Sequence, residues 1–206
     1  DAIYVAAGRV CLVLDAATGK QRANFPMPEK IAGSLVRLRL WKNSLVSNLG
    51  KTVICLDRQT GKLQWSFPTT RAELSLAVGG NHVYAAELLN TRRGETIAKS
   101  DVKTYALDVT NGKQIWQGVG GAELRYSETH DLLLTSTAIY KGKDGAIHRQ
   151  ANVADPTKDK WNFKSGGFIA GDNLLVGGSD NFVMYDLTSG AKLADRLKWF
   201  RRGCTP

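Results

Sequence analysis

The sequence is poor in cysteine and has no long apolar run. It contains three cysteines, Cys11, Cys55 and Cys204. These are too few for a disulfide framework, and none forms a CxxC pair or has a histidine at metal-ligand spacing, which argues against a structural zinc site. No stretch approaches the roughly 20 uninterrupted apolar residues that a spanning helix needs, so no membrane span is predicted. No segment keeps a convincing helical period, and we expect a chain of strands.

The chain carries a net charge of +9, which raises the question of an anionic partner. Basic residues bunch in three places, at Arg92 and Arg93, at Lys158, Lys160 and Lys164, and at Arg196, Lys198, Arg201 and Arg202. No nucleic-acid motif accompanies them, and the aromatic residues fall at repeat positions rather than between the basic ones. We therefore predict no specific nucleic-acid partner and interpret these side chains as solvated loop residues.

One segment recurs along the chain. The clearest copies are VICLDRQTGKLQW from Val53 and KTYALDVTNGKQIW from Lys103, and weaker ones begin at Val13 and Val183. A fifth copy, IYKGKDGAI, has Lys141 where the others have aspartate. The copies align on a turn glycine with a mean spacing of about 43 residues, which is typical of a propeller blade. These glycines are Gly19, Gly61, Gly112, Gly145 and Gly190.

A second marker, a turn residue that opens a short apolar run, lies upstream in each copy. It is Asp1, Asn43, Asn81, Asp131 or Asp172. The two markers divide the chain into approximate repeats 1–42, 43–80, 81–130, 131–171 and 172–206, which we interpret as a single, partial domain spanning 1–206. Each repeat reads as short strands separated by Asn, Asp, Gly and Thr, so the predicted fold class is all-β.

The recurring residues have structural explanations. Aspartate and threonine side chains can bond turn amides, while glycine can take the positive φ of a tight hairpin. The aspartates are Asp15, Asp57, Asp108 and Asp186. Trp65 and Trp116, four residues past the glycine, suit packing between sheets. A blade cannot bury its two faces alone, so the period predicts a β-propeller, whereas a β-sandwich does not explain it.

The segments LDRQTGKLQW and ALDVTNGKQIW resemble the repeat signature of pyrroloquinoline-quinone (PQQ) type propellers. This resemblance implies four-stranded blades, of which about five are present here, in a ring that usually has eight. The run WFRRGCTP from Trp199 resembles a segment of large planctomycete-type envelope proteins, which would place Cys204 in a disulfide with a residue beyond this chain. The resemblance also implies a periplasmic or secreted bacterial protein.

The family contains both enzymes and scaffolds. Its dehydrogenases hold PQQ and Ca²⁺, with a disulfide between adjacent cysteines against the quinone, and this sequence has no adjacent cysteine pair. The recurring aspartates read as turn residues, and His82, His130 and His148 have no nucleophile at a suggestive spacing. We thus expect no catalytic, cofactor or metal residues.

Two functions remain open. The preferred one is a non-catalytic module that binds or scaffolds unidentified protein partners. The alternative is a fragment of a PQQ-dependent alcohol or sugar dehydrogenase, with PQQ and calcium held by residues outside this chain. A weaker third option is the sensor portion of a membrane kinase.

The candidate contact surface is an insertion at 88–101 that departs from the repeat in length and polarity. It carries Arg92, Arg93, Glu95 and Lys99. Loops on a rigid scaffold often hold binding residues, although a solvated hairpin extension explains the same residues.

Cys11 and Cys55 fall inside predicted strands and read as small buried hydrophobic residues with free thiols.

Overall fold

The computed structural model describes residues 1–88, 102–120, 124–135, 138–150, 167–177 and 181–198. These residues form strands and turns, and no helix long and apolar enough to cross a membrane occurs among them. The strands build five antiparallel sheets, in each of which neighbouring strands follow chain order. We call them sheets 1 to 5. The all-β prediction is confirmed.

Sheet 1 has three strands and the other four sheets have four each. Sheet 1 contains β1 (Ala2–Ala7), β2 (Val10–Asp15) and β3 (Gln21–Pro26). Sheet 2 contains β4 (Leu35–Trp41), β5 (Ser44–Leu49), β6 (Thr52–Asp57) and β7 (Leu63–Pro68). Sheet 3 contains β8 (Leu74–Gly79), β9 (His82–Glu87), β10 (Lys103–Asp108) and β11 (Gln114–Val119). Sheet 4 contains β12 (Arg125–Ser127), β13 (Leu132–Leu134), β14 (Ala138–Lys141) and β15 (Ile147–Gln150). Sheet 5 contains β16 (Gly167–Ala170), β17 (Asn173–Gly177), β18 (Asn181–Asp186) and β19 (Lys192–Lys198).

The first strands of neighbouring sheets lie close together. Strand β4 contacts β8, β8 contacts β12, and β12 contacts β16. Sheets arranged radially approach each other most closely at their shared axis, so these strands mark the axial side of an arc of blades. The arrangement is that of a β-propeller.

The sheets and the sequence repeats differ in phase by one strand. The repeat boundaries at 43, 81, 131 and 172 fall in the hairpin turns between the first and second strands of sheets 2 to 5. Each repeat between 43 and 171 therefore begins with the second strand of one sheet and ends with the first strand of the next. The turn markers predicted the hairpins, but a marker in a hairpin carries no information about which strand pairs next.

Apolar side chains fill the spaces between successive sheets. Alternate residues of a strand point to opposite faces, so a blade packed on both sides has apolar residues at consecutive positions. In β6, Val53 and Cys55 join the cluster between sheets 2 and 3, while Ile54 and Leu56 join the cluster between sheets 1 and 2. Comparable clusters lie between sheets 3 and 4 and between sheets 4 and 5. The core is therefore a series of layers.

The arc has two faces, which the hairpins define. In the four-stranded sheets, the turn face carries the hairpins between first and second strands and between third and fourth strands, such as those at Asn43 and Gly61. In the same sheets, the connection face carries the hairpins between second and third strands, such as Gly50–Lys51, and the links from one sheet to the next, such as 69–73.

Candidate functional site

The recurring aspartates are turn residues. The Asp15 carboxylate accepts hydrogen bonds from the Ala17 amide (3.0 Å), the Thr18 amide (2.7 Å) and the Thr18 hydroxyl (2.9 Å). Asp57 makes the same set of bonds at 3.0, 2.8 and 2.9 Å. Donors from Thr18, amide first, lower the pKa of Asp15 to about 2. These bonds favour the ionised form, so each carboxylate is committed to its own hairpin.

The turn glycines occupy equivalent positions in all five sheets. Their φ angles lie between 67° and 72°, in the left-handed region that glycine tolerates best. In each case the glycine amide donates to the carbonyl four residues earlier, which belongs to the repeat aspartate or, in sheet 4, to Lys141. The predicted equivalence of Gly19, Gly61, Gly112, Gly145 and Gly190 is confirmed.

Tryptophan side chains join neighbouring sheets. Trp65 is 7% exposed, and its indole N–H donates to the Val109 carbonyl of sheet 3 at 2.8 Å. Its ring covers Gly112 so closely that an added Cβ would lie 2.6 Å from the ring. Trp116 repeats this arrangement against sheet 4, with the Gly142 carbonyl at 2.7 Å. The predicted burial of both tryptophans is confirmed.

The interface between sheets 1 and 2 fills the same space with other residues. Ala23 holds the position that Trp65 holds in sheet 2, and Phe25, two residues later, covers Gly61 instead. Phenylalanine cannot donate a hydrogen bond. The Tyr4 hydroxyl instead donates to the Arg58 carbonyl at 3.2 Å, which is the counterpart of Val109.

The interface between sheets 4 and 5 adds several polar contacts to its apolar cluster. Arg149 stands at the tryptophan position and donates to the carbonyls of Ser189 (2.5 Å) and Gly190 (3.2 Å). His130 Nε2 lies 2.8 Å from an Asp172 carboxylate oxygen, and His148 Nε2 lies 3.0 Å from the Thr188 carbonyl. Two of the three histidines thus bridge sheets, a role that repeat alignment alone did not predict.

A recess of about 430 Å³ opens on the connection face between sheets 2 and 3. Its lining comprises Lys51, Thr70, Arg71, Ala72, Glu73 and Leu88. The hairpin that carries Lys51 is tightly packed, because an added Cβ on Gly33 would lie 2.4 Å from the Gly50 nitrogen. Glycine at both positions lets the two backbones meet, which holds Lys51 at the rim.

A buried carboxylate lies beside the recess. Glu87, at the end of β9, is fully buried and accepts bonds from the Thr70 amide (3.0 Å) and hydroxyl (2.6 Å). The Lys103 amide (3.2 Å) and the Tyr105 hydroxyl (3.1 Å) also donate to it. Burial, and then the Glu87 charge, raise the pKa of Tyr105 to about 12. Four donors satisfy this carboxylate, as a buried charge requires.

Sequence reasoning did not identify this recess, although it pointed to the adjacent insertion. Leu88 lines the recess, whereas Arg92, Arg93, Glu95 and Lys99 lie outside the described residues, as does Cys204. The segment HVYAAE could have indicated it, because a glutamate at the end of an otherwise apolar strand needs buried hydrogen-bond donors.

Cys11 and Cys55 lie in β2 and β6 as buried free cysteines. Burial raises the pKa of both thiols, that of Cys55 to about 11.

The described residues do not fit the PQQ and calcium site that the fold family suggests. No three His, Cys, Asp or Glu side chains in this part of the chain come together as a set of metal ligands. The recurring aspartates bond their own turns, and the sequence offers no adjacent cysteines. The residues described here thus form hairpins, sheet interfaces and a recess that is lined in part by charged side chains.

These features define a repeat protein of the β-propeller class. A family model described as "Outer membrane protein assembly factor BamB" (PQQ_2) matches residues 1–199. The chain belongs to this family of PQQ-like repeat proteins. Among curated proteins, none matches it significantly.

Solved structures share the fold at low sequence identity. BamB from Moraxella catarrhalis is 17% identical with a TM-score of 0.63, and the match covers 96% of this chain and 59% of that protein. The quinohemoprotein alcohol dehydrogenase ADHIIG from Pseudomonas putida HK5 is 15% identical with a TM-score of 0.65, covering 95% and 40%. The computationally designed Ika8 protein is 14% identical with a TM-score of 0.70, covering 95% and 58%. The chain thus spans between 40% and 59% of the length of these three structures.

Proposed function

We propose that this chain is a non-catalytic, protein-binding module of the bacterial cell envelope. The observation that carries the proposal is a difference between the two faces of the arc in what their polar side chains contact. Repeat aspartates such as Asp57 bond their own hairpins on the turn face, whereas the recess beside Lys51 and Arg71 presents charged groups on the connection face. A rigid scaffold with a structured, charged recess suits contact with another protein.

The family supports the envelope location, since its description names an outer-membrane assembly factor. We further propose that residues 1–206 form one domain, an arc of the eight-bladed ring usual for PQQ-like repeats. The match to only part of each solved structure agrees with an arc. The PQQ-dependent oxidoreductase remains the competing function.

Photocrosslinking in the native cell tests the protein-binding function. A photoreactive amino acid is placed at Ala72 on the connection face or, as a matched control, at Lys62 on the turn face of the full-length protein. We expect discrete protein adducts from Ala72 and none from Lys62. Adducts from neither position, or equal adducts from both, would contradict a binding surface on the connection face.

Reconstitution with PQQ and Ca²⁺ tests the competing function. A dye-reduction assay over alcohols and aldose sugars should give no turnover above the free-cofactor blank. Turnover that disappears on substitution of one acidic residue would replace the scaffold by an oxidoreductase.

A further inference from the structure

Two cationic side chains line the recess from different parts of the fold. Lys51 belongs to the hairpin between β5 and β6, and Arg71 belongs to the link between sheets 2 and 3. Lys51 is exposed and Arg71 is half-buried. Both long side chains can therefore reach a ligand in the recess.

The backbone around the recess is fixed at several points. In the link, the Thr69 amide donates to the Lys51 carbonyl (2.8 Å), and the Ala72 carbonyl accepts from the Asn48 side chain (3.0 Å). The Leu88 amide donates to the Glu73 carbonyl at 2.9 Å, and Glu87 holds Thr70. A site that is ordered before binding loses less conformational entropy when a ligand arrives.

The mixed charge of the lining restricts the ligand. Lys51 and Arg71 favour a carboxylate, and arginine can hold one with two parallel hydrogen bonds. Glu73 in the lining and Glu87, which is bonded to Thr70 of the lining, add negative charge that opposes a dianion such as phosphate. A peptide supplies a single carboxylate for the two cations, and an aliphatic neighbour of that residue can contact Leu88.

We infer that this recess binds an extended peptide segment that carries an acidic side chain flanked by aliphatic residues. The inference rests on the proposed protein-binding function and names the chemistry of the partner. A volume of about 430 Å³ lies within the usual range of ligand sites and accommodates a few side chains. The net charge of +9 would also attract an acidic partner at long range.

The test uses amide chemical shifts of the 206-residue chain. The probe is an acetylated, amidated peptide Ser-Leu-Glu-Leu-Ser, and its partner has Gln in place of Glu. We expect the Glu peptide to shift the amides of Ala72 and Leu88 and to bind about twofold to fivefold more tightly than the Gln peptide. This is the range for exposed charge pairs.

Charge variants complete the experiment. The double variant Lys51→Gln with Arg71→Gln should bind the Glu peptide about twofold to fivefold more weakly, by the same reasoning. The matched double variant Lys62→Gln with Lys113→Gln, on the turn face, should bind as the original chain does.

Three results would overturn the inference. They are equal binding of the Glu and Gln peptides, equal losses in the two double variants, and displacement of the peptide by inorganic phosphate at the peptide's own concentration. If one of these occurs while photocrosslinks from Ala72 persist, the protein-binding function stands and the acidic peptide is wrong. If the crosslinks also fail, both proposals fall.

Discussion

The contact between Trp65 and Gly112 predicts a strong energetic coupling between two sheets. In Gly112→Ala, a φ of 71° costs about 1–2 kcal/mol for a residue with a Cβ. The new Cβ also meets the Trp65 ring at 2.6 Å, and overpacking of this kind costs about 1–3 kcal/mol. The single substitution should therefore destabilise by about 3 kcal/mol, the sum of the two costs. In a Trp65→Ala background the ring is gone, and only the backbone cost of about 1 kcal/mol should remain.

A double-mutant cycle measures this coupling by urea denaturation at neutral pH. Trp65→Ala alone should cost about 3–5 kcal/mol, and the double variant should be about 2 kcal/mol more stable than the sum of the two single changes predicts. Gly19→Ala is the matched control, since its φ is 69° but no atom lies within 4 Å of the added Cβ. It should cost about 1 kcal/mol in either background. Additivity of Gly112→Ala and Trp65→Ala within about 0.5 kcal/mol would refute the contact.

Three further predictions concern other contacts. Trp116→Phe keeps an aromatic ring but leaves the Gly142 carbonyl without its donor, so urea denaturation should show a loss of about 1–3 kcal/mol, and no change would mean that the bond is absent. In Glu87→Gln an NH2 group replaces one carboxylate oxygen and faces hydrogen-bond donors, so at least one buried donor loses its acceptor. The loss of stability should be similar, about 1–3 kcal/mol. The substitution should also lower the pKa of Tyr105 from about 12 in an absorbance titration, and an unchanged pKa would contradict the contact. The pKa of Asp15 is depressed to about 2 in the folded state, so its contribution to stability is present above the unfolded value of about 3.9 and is lost as pH falls through both values. Asp15→Asn should flatten the fall in urea midpoint between about pH 4 and pH 2, and an unchanged slope would show that the turn bonds do not matter.

Much of the fold could be predicted because each blade repeats the same local chemistry. The segment that ends at Trp65 contains a turn aspartate, a left-handed glycine and a buried ring. The residues that predict each of these features lie within about a dozen positions of one another in the sequence. The phase of the sheets could not be predicted in this way. Whether β8 pairs with β7 or with β9 depends on contacts between distant strands, and a hairpin marker at Asn81 fits both sheet divisions until the pairing is known.

The site was harder to predict because its parts come from separate segments. Lys51, Arg71 and Leu88 belong to different elements and meet only when sheets 2 and 3 pack together. Each is unremarkable in the sequence, where a lysine in a hairpin reads as solvated surface. Glu87 was the available signal, since an acid that ends an apolar strand needs buried donors.

The offset between repeats and sheets bears on how such a chain can gain blades. A duplication that starts and ends at hairpin positions such as Asn43 and Asn81 would insert whole repeats, yet each junction would fall inside a sheet. The first strand of the older copy would then hydrogen-bond to the second strand of the newer one. A newly acquired repeat would thus be joined to its neighbour by backbone hydrogen bonds, which do not depend on side-chain identity, before the side chains of the new interface had adapted.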